Sequence, residues 1–243
     1  MPLLSVVIPS YNDAEMLRQC LTALDEQSLA PFEVVVVDNG STDDTADVAR
    51  SFGARVVYEP VKGIPSATAA GFDAARGDIL GRLDADSVPN SQWCERVIHA
   101  FTENPTIAAI TGTADFYGGR KLTNWMGRNV YINGYLWSVE WALGHPPIFG
   151  SNCALSRSTW ERIRSQVHRD IRNVHDDLDI SIAFQPDMEV LVDKNLVVAV
   201  SARPFGSARG FARRLWWVYT TVRVNWREES LIDRRRRHRV GKD

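Results

Sequence analysis

Cysteine is scarce in this sequence: Cys20, Cys94 and Cys153 are the only three in 243 residues. They lie far apart, with no pair at metal-ligand or redox-motif spacing, which excludes a disulfide framework and a cysteine-pair metal motif. Long apolar runs are missing as well. The amino-terminal stretch MPLLSVVIPSYN is too short to cross a bilayer, and it has neither the basic leader nor the small-residue cleavage site of a signal peptide. The protein is therefore expected in the cytoplasm. Internal repeats and low-complexity segments are absent too, and no clear linker stands out before about residue 205.

What is present is ample apolar material, 44% of residues, at a length that fits one large domain or two small ones. The net charge of −2 is unevenly spread. From Ser207 onward there are eleven Lys or Arg against four Asp or Glu, which leaves 17 basic against 26 acidic residues in the preceding part. An acidic body suits a metal and a neutral sugar, whereas a basic carboxyl end suits anionic lipid or phosphate groups. The expected division is a domain over 1–205, with halves 1–112 and 113–205, and a basic amphipathic extension over 206–243.

Periodicity predicts alternating strands and helices. Residues 4–8, LSVVI, form a β-branched run closed by Pro9, and Asp13–Gln27 places Met16, Cys20, Leu21 and Leu24 at helical spacing. Residues 33–37, EVVVV, are too continuously apolar for a half-exposed strand; they read as a buried parallel one, with Asn39-Gly40-Ser41 leading into a Thr42–Ser51 helix. Arg55–Tyr58 is a third strand, Ser66–Ala75 a small-residue helix, and Ile79–Leu83 a fourth strand ending at Asp84-Ala85-Asp86. Trp93–Phe101 then reads as a helix and Ile107–Gly112 as a strand. Such alternation predicts an α/β fold with a doubly wound, mostly parallel sheet flanked by helices, whose ligands bind beyond the carboxyl ends of the strands. Pro9 to Asn12, Asp38 and Asp84 to Asp86 all lie there. The aromatic-rich stretch 116–143 lacks strand alternation and is expected to form helices or loops over the site.

Two carboxylates on one side of an extended tripeptide, Asp84 and Asp86, suit a hard cation, Mg²⁺ or Mn²⁺, that bridges to substrate phosphates. A solvated acidic loop is the plainer alternative. Asp38, after four valines, is placed either to accept hydrogen bonds from a nucleobase or ribose or to cap the next helix. Ser41 or Thr42 can do the capping instead, with Asp43 and Asp44 in the first turn, which leaves Asp38 for a ligand.

Together, LSVVIPSYND, VVVVDNGSTDDT, the small-residue helix and LDADS resemble family 2 of the inverting glycosyltransferases, from Leu4 to about Phe184. The resemblance implies the GT-A fold, a UDP- or GDP-sugar donor and a divalent cation. It implies donor contacts from Pro9, Tyr11, Asn12, Asp38, Gly63, Asp84 and Asp86, with Asn152 of the Gly150-Ser151-Asn152 segment on a sugar hydroxyl. His175-Asp176-Asp177 resembles the acidic pair on the acceptor side: Asp177 matches the catalytic base and Asp176 the acid before it, while His175 stands beside Asp84 and Asp86 as a candidate metal ligand. Burial and a run of three carboxylates, Asp176, Asp177 and Asp179, are expected to raise the base's proton affinity. A helix amino terminus would also favour these acids.

One segment departs from the family pattern. Where relatives carry Ala-Arg-Asn-x-x-Gly or a close variant, this chain has Ala67-Thr68-Ala69-Ala70-Gly71, and Thr68 lacks the fixed fork of guanidinium donors. Arg82 either compensates or is a paired structural charge. That departure keeps a second reading open, a catalytically silent nucleotide-sugar-binding protein. A nucleotidyltransferase is disfavoured because Ser10-Tyr11-Asn12-Asp13 is no Gly-rich, Lys-bearing phosphate loop, and the acidic body disfavours nucleic acid as a partner.

Toward the end, Phe211, Leu215, Val218, Val222 and Trp226 recur at helical spacing among arginines, the makeup either of an interfacial helix or of one docked on its own domain. With Arg234 to Arg237, this suggests peripheral contact with an anionic membrane on its inner face. Trp125, Tyr131, Tyr135, Trp137 and Trp141 suit either acceptor stacking or core packing. The acceptor itself, lipid, glycan or small molecule, is not legible.

Overall fold

A computed structural model describes residues 1–117, 133–201, 208–227 and 230–240. The first half runs β1 (Leu4–Ser10), α1 (Ala14–Asp25), β2 (Glu33–Asp38), α2 (Thr45–Ser51), β3 (Arg55–Tyr58), α3 (Ile64–Ala74) and β4 (Ile79–Arg82). β5 (Ser87–Pro89), α4 (Trp93–Glu103), β6 (Ala109–Tyr117), α5 (Asn133–Leu143), β7 (Cys153–Ser156), α6 (Arg157–Ile163), α7 (Asp176–Ala183) and β8 (Val190–Ser201) follow. α8 (Ala208–Trp226) and α9 (Leu231–Val240) complete the described chain.

One eight-stranded sheet has the order β3-β2-β1-β4-β7-β6-β8-β5. Its first four positions are parallel, as the alternation predicts. β7 then runs antiparallel to both β4 and β6, and β5 antiparallel to β8. The sheet is therefore doubly wound in its first four positions and mixed in the other four.

Both faces are covered because β1 and β2 are apolar on both. On one face, Leu17, Cys20, Leu21 and Leu24 of α1 and Trp93, Val97 and Phe101 of α4 meet Val6, Ile8 and Val36. On the other, Phe72, Trp160, Ile163 and Ile180 meet Val7, Val35 and Val37. α3 approaches the strands closely enough that a methyl group on Gly71 would run into the side chains of Val7 and Val37. Gly71→Ala is accordingly expected to lower stability by about 1–3 kcal/mol through overpacking, despite alanine's better helix propensity. Chemical denaturation against the parent chain measures it.

α2 begins at Thr45, later than the sequence suggested, because the preceding side chains are used elsewhere. Asp43 accepts from the Thr45 backbone N–H at 3.1 Å and from Ala14 N–H at 3.1 Å. Ser41 and Thr42 do not cap the helix; they tie the loop to Asn12.

Candidate functional site

The ends of β1 and β2 carry interlocked loops. Asn12 sits in the left-handed region at φ 51°; its Oδ1 accepts from Thr42 N–H at 2.7 Å, and its own N–H donates to Ser41 Oγ at 3.0 Å. Asp38 Oδ1 accepts from Ser41 N–H at 2.8 Å. Buried Asn39 donates to the carbonyls of Glu59 and Val61 and accepts from Gly63 N–H at 2.8 Å. Lys62 Nζ, held by the carbonyls of Asn39 and Gly40, stands 3.9 Å from the ring centroid of Tyr11, a side chain 51% exposed. Pro9 lies opposite Val37 in the parallel register. Pro9, Tyr11, Asn12, Asp38 and Gly63 thus come together at one rim, with Asn39 and Lys62 as organisers that the sequence reading missed. A cation above an exposed ring is a ready-made platform for a flat, anionic ligand.

β4 and α7 supply the acids. Asp84 Oδ1 accepts from Arg82 Nη2 at 2.9 Å and its Oδ2 from Ser151 Oγ. Half-buried Asp86 has its carbonyl held by the Tyr117 hydroxyl at 3.0 Å. Asp176 Oδ2 accepts from Thr68 Oγ1 at 2.8 Å and meets Arg82 Nη2 at 3.1 Å. Asp177 takes the Gly150 N–H at 2.9 Å on Oδ2 and pairs with His175 Nδ1 at 2.5 Å on Oδ1. Among the described residues, His175, Asp176 and Asp177 form a group with ligand atoms within 4.8 Å of one another. Asp84 joins them through Arg82; Asp86 is not in that group. One nitrogen and several carboxylate oxygens fit the preferences of Mn²⁺, and the oxygens those of Mg²⁺.

Proton affinities are distributed otherwise than expected. Burial raises that of Asp177, but the charge and hydrogen bond of His175, the Arg82 charge and the Gly150 N–H outweigh it and hold the carboxyl well below its usual range. It is Asp176 that lies above the carboxylate range, because burial and the neighbouring Asp177 charge exceed the pull of Arg82. His175 is raised: burial opposes its charge, and Asp177 and Asp176 prevail. The Asp179 carboxylate is engaged by His168 and by Asn225 Nδ2 at 2.7 Å.

Asn152 is also corrected. Fully buried, it accepts from Trp93 Nε1 at 2.7 Å and donates to the carbonyls of Thr113 and Leu196 at 2.8 and 2.7 Å. Its amide joins β6, β8 and α4 and offers nothing to a sugar. Trp125 and Tyr131 lie outside the described residues, as does the side chain of Tyr135.

α8 docks on α7 by only part of the apolar stripe seen in the sequence. Buried Thr221 accepts from His175 N–H at 2.7 Å, and buried Asn225 holds Asp179, with Val218 beside Leu178 and Ile182. Leu215 and Trp226 face outward.

The sequence model described as Glycosyl transferase family 2 matches residues 5–164. This chain belongs to glycosyl transferase family 2. Among curated relatives, glycosyltransferase AglE of Haloferax volcanii is 36% identical over 128 residues, 49% of this chain and 39% of that protein. Validoxylamine A glucosyltransferase of Streptomyces hygroscopicus subsp. limoneus is 37% identical over 128 residues, 49% of this chain and 28% of that protein. This family 2 chain therefore spans well under half the length of either. Among solved structures, mannosyltransferase PcManGT from Pyrobaculum calidifontis, in complex with GDP-Man and Mn²⁺, superposes with a TM-score of 0.71 at 22% identity, over 93% of this chain and 64% of that one. Glucosyl-3-phosphoglycerate synthase from Mycobacterium tuberculosis, in complex with Mn²⁺, UDP and phosphoglyceric acid, gives 0.66 at 21% identity, over 92% and 78%. The fold is the GT-A fold that the family 2 resemblance implied.

Proposed function

We propose that this family 2 chain transfers a sugar from a UDP- or GDP-sugar to an acceptor hydroxyl or lipid phosphate by single displacement, with inversion. The observation that supports it is two sets of groups gathered at the carboxyl ends of parallel strands: the β1–β2 rim with its Lys62–Tyr11 platform, and the acids after β4 that Arg82 ties to α7. In this reading Pro9, Tyr11, Asn12, Asp38 and Gly63 shape the nucleotide end of the donor pocket. Asp86, Asp84 and His175 would hold Mn²⁺ or Mg²⁺, which supplies charge neutralisation for the departing diphosphate. Asp177 takes the acceptor's proton, and Asp176 fixes the helix start beside it. A neutral His175 would depress the proton affinity of Asp177 less, its charge being gone, which makes the carboxylate a better base. A screen of UDP-, GDP- and TDP-sugars for Mn²⁺-dependent nucleotide release, with EDTA controls, is expected to single out one donor. Release that ignores EDTA contradicts the mechanism, and binding without release supports the silent binding protein.

A surface observation favours a lipid-associated setting. Residues 1–205 form the catalytic domain in this proposal and 206–243 its membrane-facing extension. α8 buries Thr221 and Asn225 while Leu215, Trp216, Tyr219 and Trp226, with Trp137 and Trp141 of α5, are each at least 49% exposed. No helix among the described residues is long and apolar enough to cross a membrane, so the contact proposed is peripheral, on the inner face, with arginines each adding about 1 kcal/mol near anionic lipid. Trp216→Ala/Tyr219→Ala/Trp226→Ala is expected to weaken co-sedimentation with phosphatidylserine vesicles by at least about tenfold. Equal binding by parent and variant, or none by the parent, contradicts this surface.

A further inference from the structure

Arg82 is an unusual residue to find where β4 ends. Its side chain is 3% exposed, and it has carboxylates on either side, Asp84 of the strand-end loop at 2.9 Å and Asp176 of α7 at 3.1 Å. Both contacts use the same nitrogen, Nη2. Among the described residues, buried Nε and Nη1 have no hydrogen-bond partner. Nη1 lies against Gly150, where a methyl group would land on it and would come within 3.1 Å of Asp177 Oδ2. Two unmet donors in a dry place are costly, so a guanidinium kept there solely as a structural ion pair would be poorly matched to its site.

The environment of α3 is fitted to this arginine. Thr68 is buried, and its hydroxyl donates to the same Asp176 oxygen that meets Arg82. A long cationic side chain at position 68 would compete with Arg82 for that oxygen and that space. The short hydroxyl satisfies the oxygen and leaves room. Position 68 is also where the family 2 pattern places the arginine that this chain lacks.

We infer that Arg82 is a positioning residue, paired with Thr68, that sets the Asp-x-Asp loop against the acids of α7 and does from β4 the work of a guanidinium on α3. The inference rests on the proposed metal-assisted transfer. In this reading Arg82 acts through Asp84 and Asp176. A lysine is a poor replacement, because it has no counterpart of Nη1, the nitrogen that the planar guanidinium places against Gly150 beside Asp177. The local charge has the same logic: without Arg82, half-buried Asp84 and buried Asp176 and Asp177 lose the cation they share, and the loop is pushed off α7.

The test is Mn²⁺ binding to the full chain, read by electron paramagnetic resonance with Mn²⁺ alone and with added UDP or GDP, alongside thermal melting. Parent, Arg82→Lys, Arg82→Met and the double variant Thr68→Arg/Arg82→Met are compared. In folded Arg82→Lys, Mn²⁺ affinity is expected to fall by about 10- to 100-fold, the range for removing a group that orients metal ligands. The double variant is expected to bind Mn²⁺ at least about threefold more tightly than Arg82→Met, the non-additivity of two residues sharing one partner. If Arg82→Met does not fold, the lysine variant decides. Parent-like Mn²⁺ binding by Arg82→Lys, or a double variant no better than Arg82→Met, overturns the inference while leaving the proposed transfer intact. A parent chain that binds no Mn²⁺ with either nucleotide sinks both.

Discussion

Asp177→Asn is expected to lower the turnover of sugar transfer by about 10²- to 10⁴-fold, the usual worth of a general base, while nucleotide binding in the presence of Mn²⁺ changes little. The substitution keeps the shape of the side chain, so the acceptor from Gly150 N–H survives as an amide oxygen. What disappears is the group able to take a proton and the anion that faces His175. Stability carries its own signature. The folded pKa of Asp177 is depressed below 3.8, so its contribution is present above that value and is lost as pH falls through the folded pKa. That of His175 is raised above 6.5, so its contribution is complete below 6.5 and is lost as pH rises through the folded pKa. The pair therefore stabilises most between about pH 4 and 6.5, and the gap in melting temperature between parent and Asp177→Asn is expected to narrow above that window. Single-turnover kinetics and melts across pH check both halves. Undiminished turnover in the variant removes Asp177 from the chemistry; in that event Asp176, whose proton affinity is the higher of the two, becomes the base to test.

Asp86→Ala is expected to weaken Mn²⁺-dependent donor binding by about 10³-fold, equivalent to several kcal/mol of lost charge stabilisation. Binding measured in EDTA is expected to be nearly unchanged. The two acids of the tripeptide are not equivalent. Asp84 is engaged by Arg82 and Ser151, so its removal disturbs packing as well as metal affinity. Asp86 is presented from a main chain that the Tyr117 hydroxyl anchors, and its loss is expected to act on cation binding. Titration calorimetry with UDP and GDP, with Mn²⁺ and with EDTA, separates the two effects.

The amino-terminal half of the molecule was legible because its signals are local. Runs such as EVVVV can only be buried strands, and the acids after them land at strand ends by topology. Contacts distant in sequence were not legible. Thr68 meets Asp176 across 108 positions, and Asn152 bonds Trp93 across 59; a Gly-Ser-Asn turn reads as a ligand contact until its amide is found spent inside the sheet. The acidic run of α7 misled for a related reason. Three carboxylates within four residues suggest mutual repulsion, yet helical geometry turns Asp179 toward Asn225 and His168, and the imidazole of His175 reverses the expected shift on Asp177. α8 follows the rule that an apolar stripe faces inward only at Val218, since polar groups at the start of α7 and on it recruit Thr221 and Asn225 to the inward face.

The account stands most directly on where a cation and a nucleotide settle. Crystals soaked with Mn²⁺ and UDP or GDP, read by anomalous scattering at the manganese edge, are expected to show one metal peak in contact with the Asp86 carboxylate and the diphosphate, with the base beside Asp38 and Tyr11. A nucleotide bound away from the carboxyl ends of β1 and β4, or a metal peak that does not touch Asp86, would contradict it.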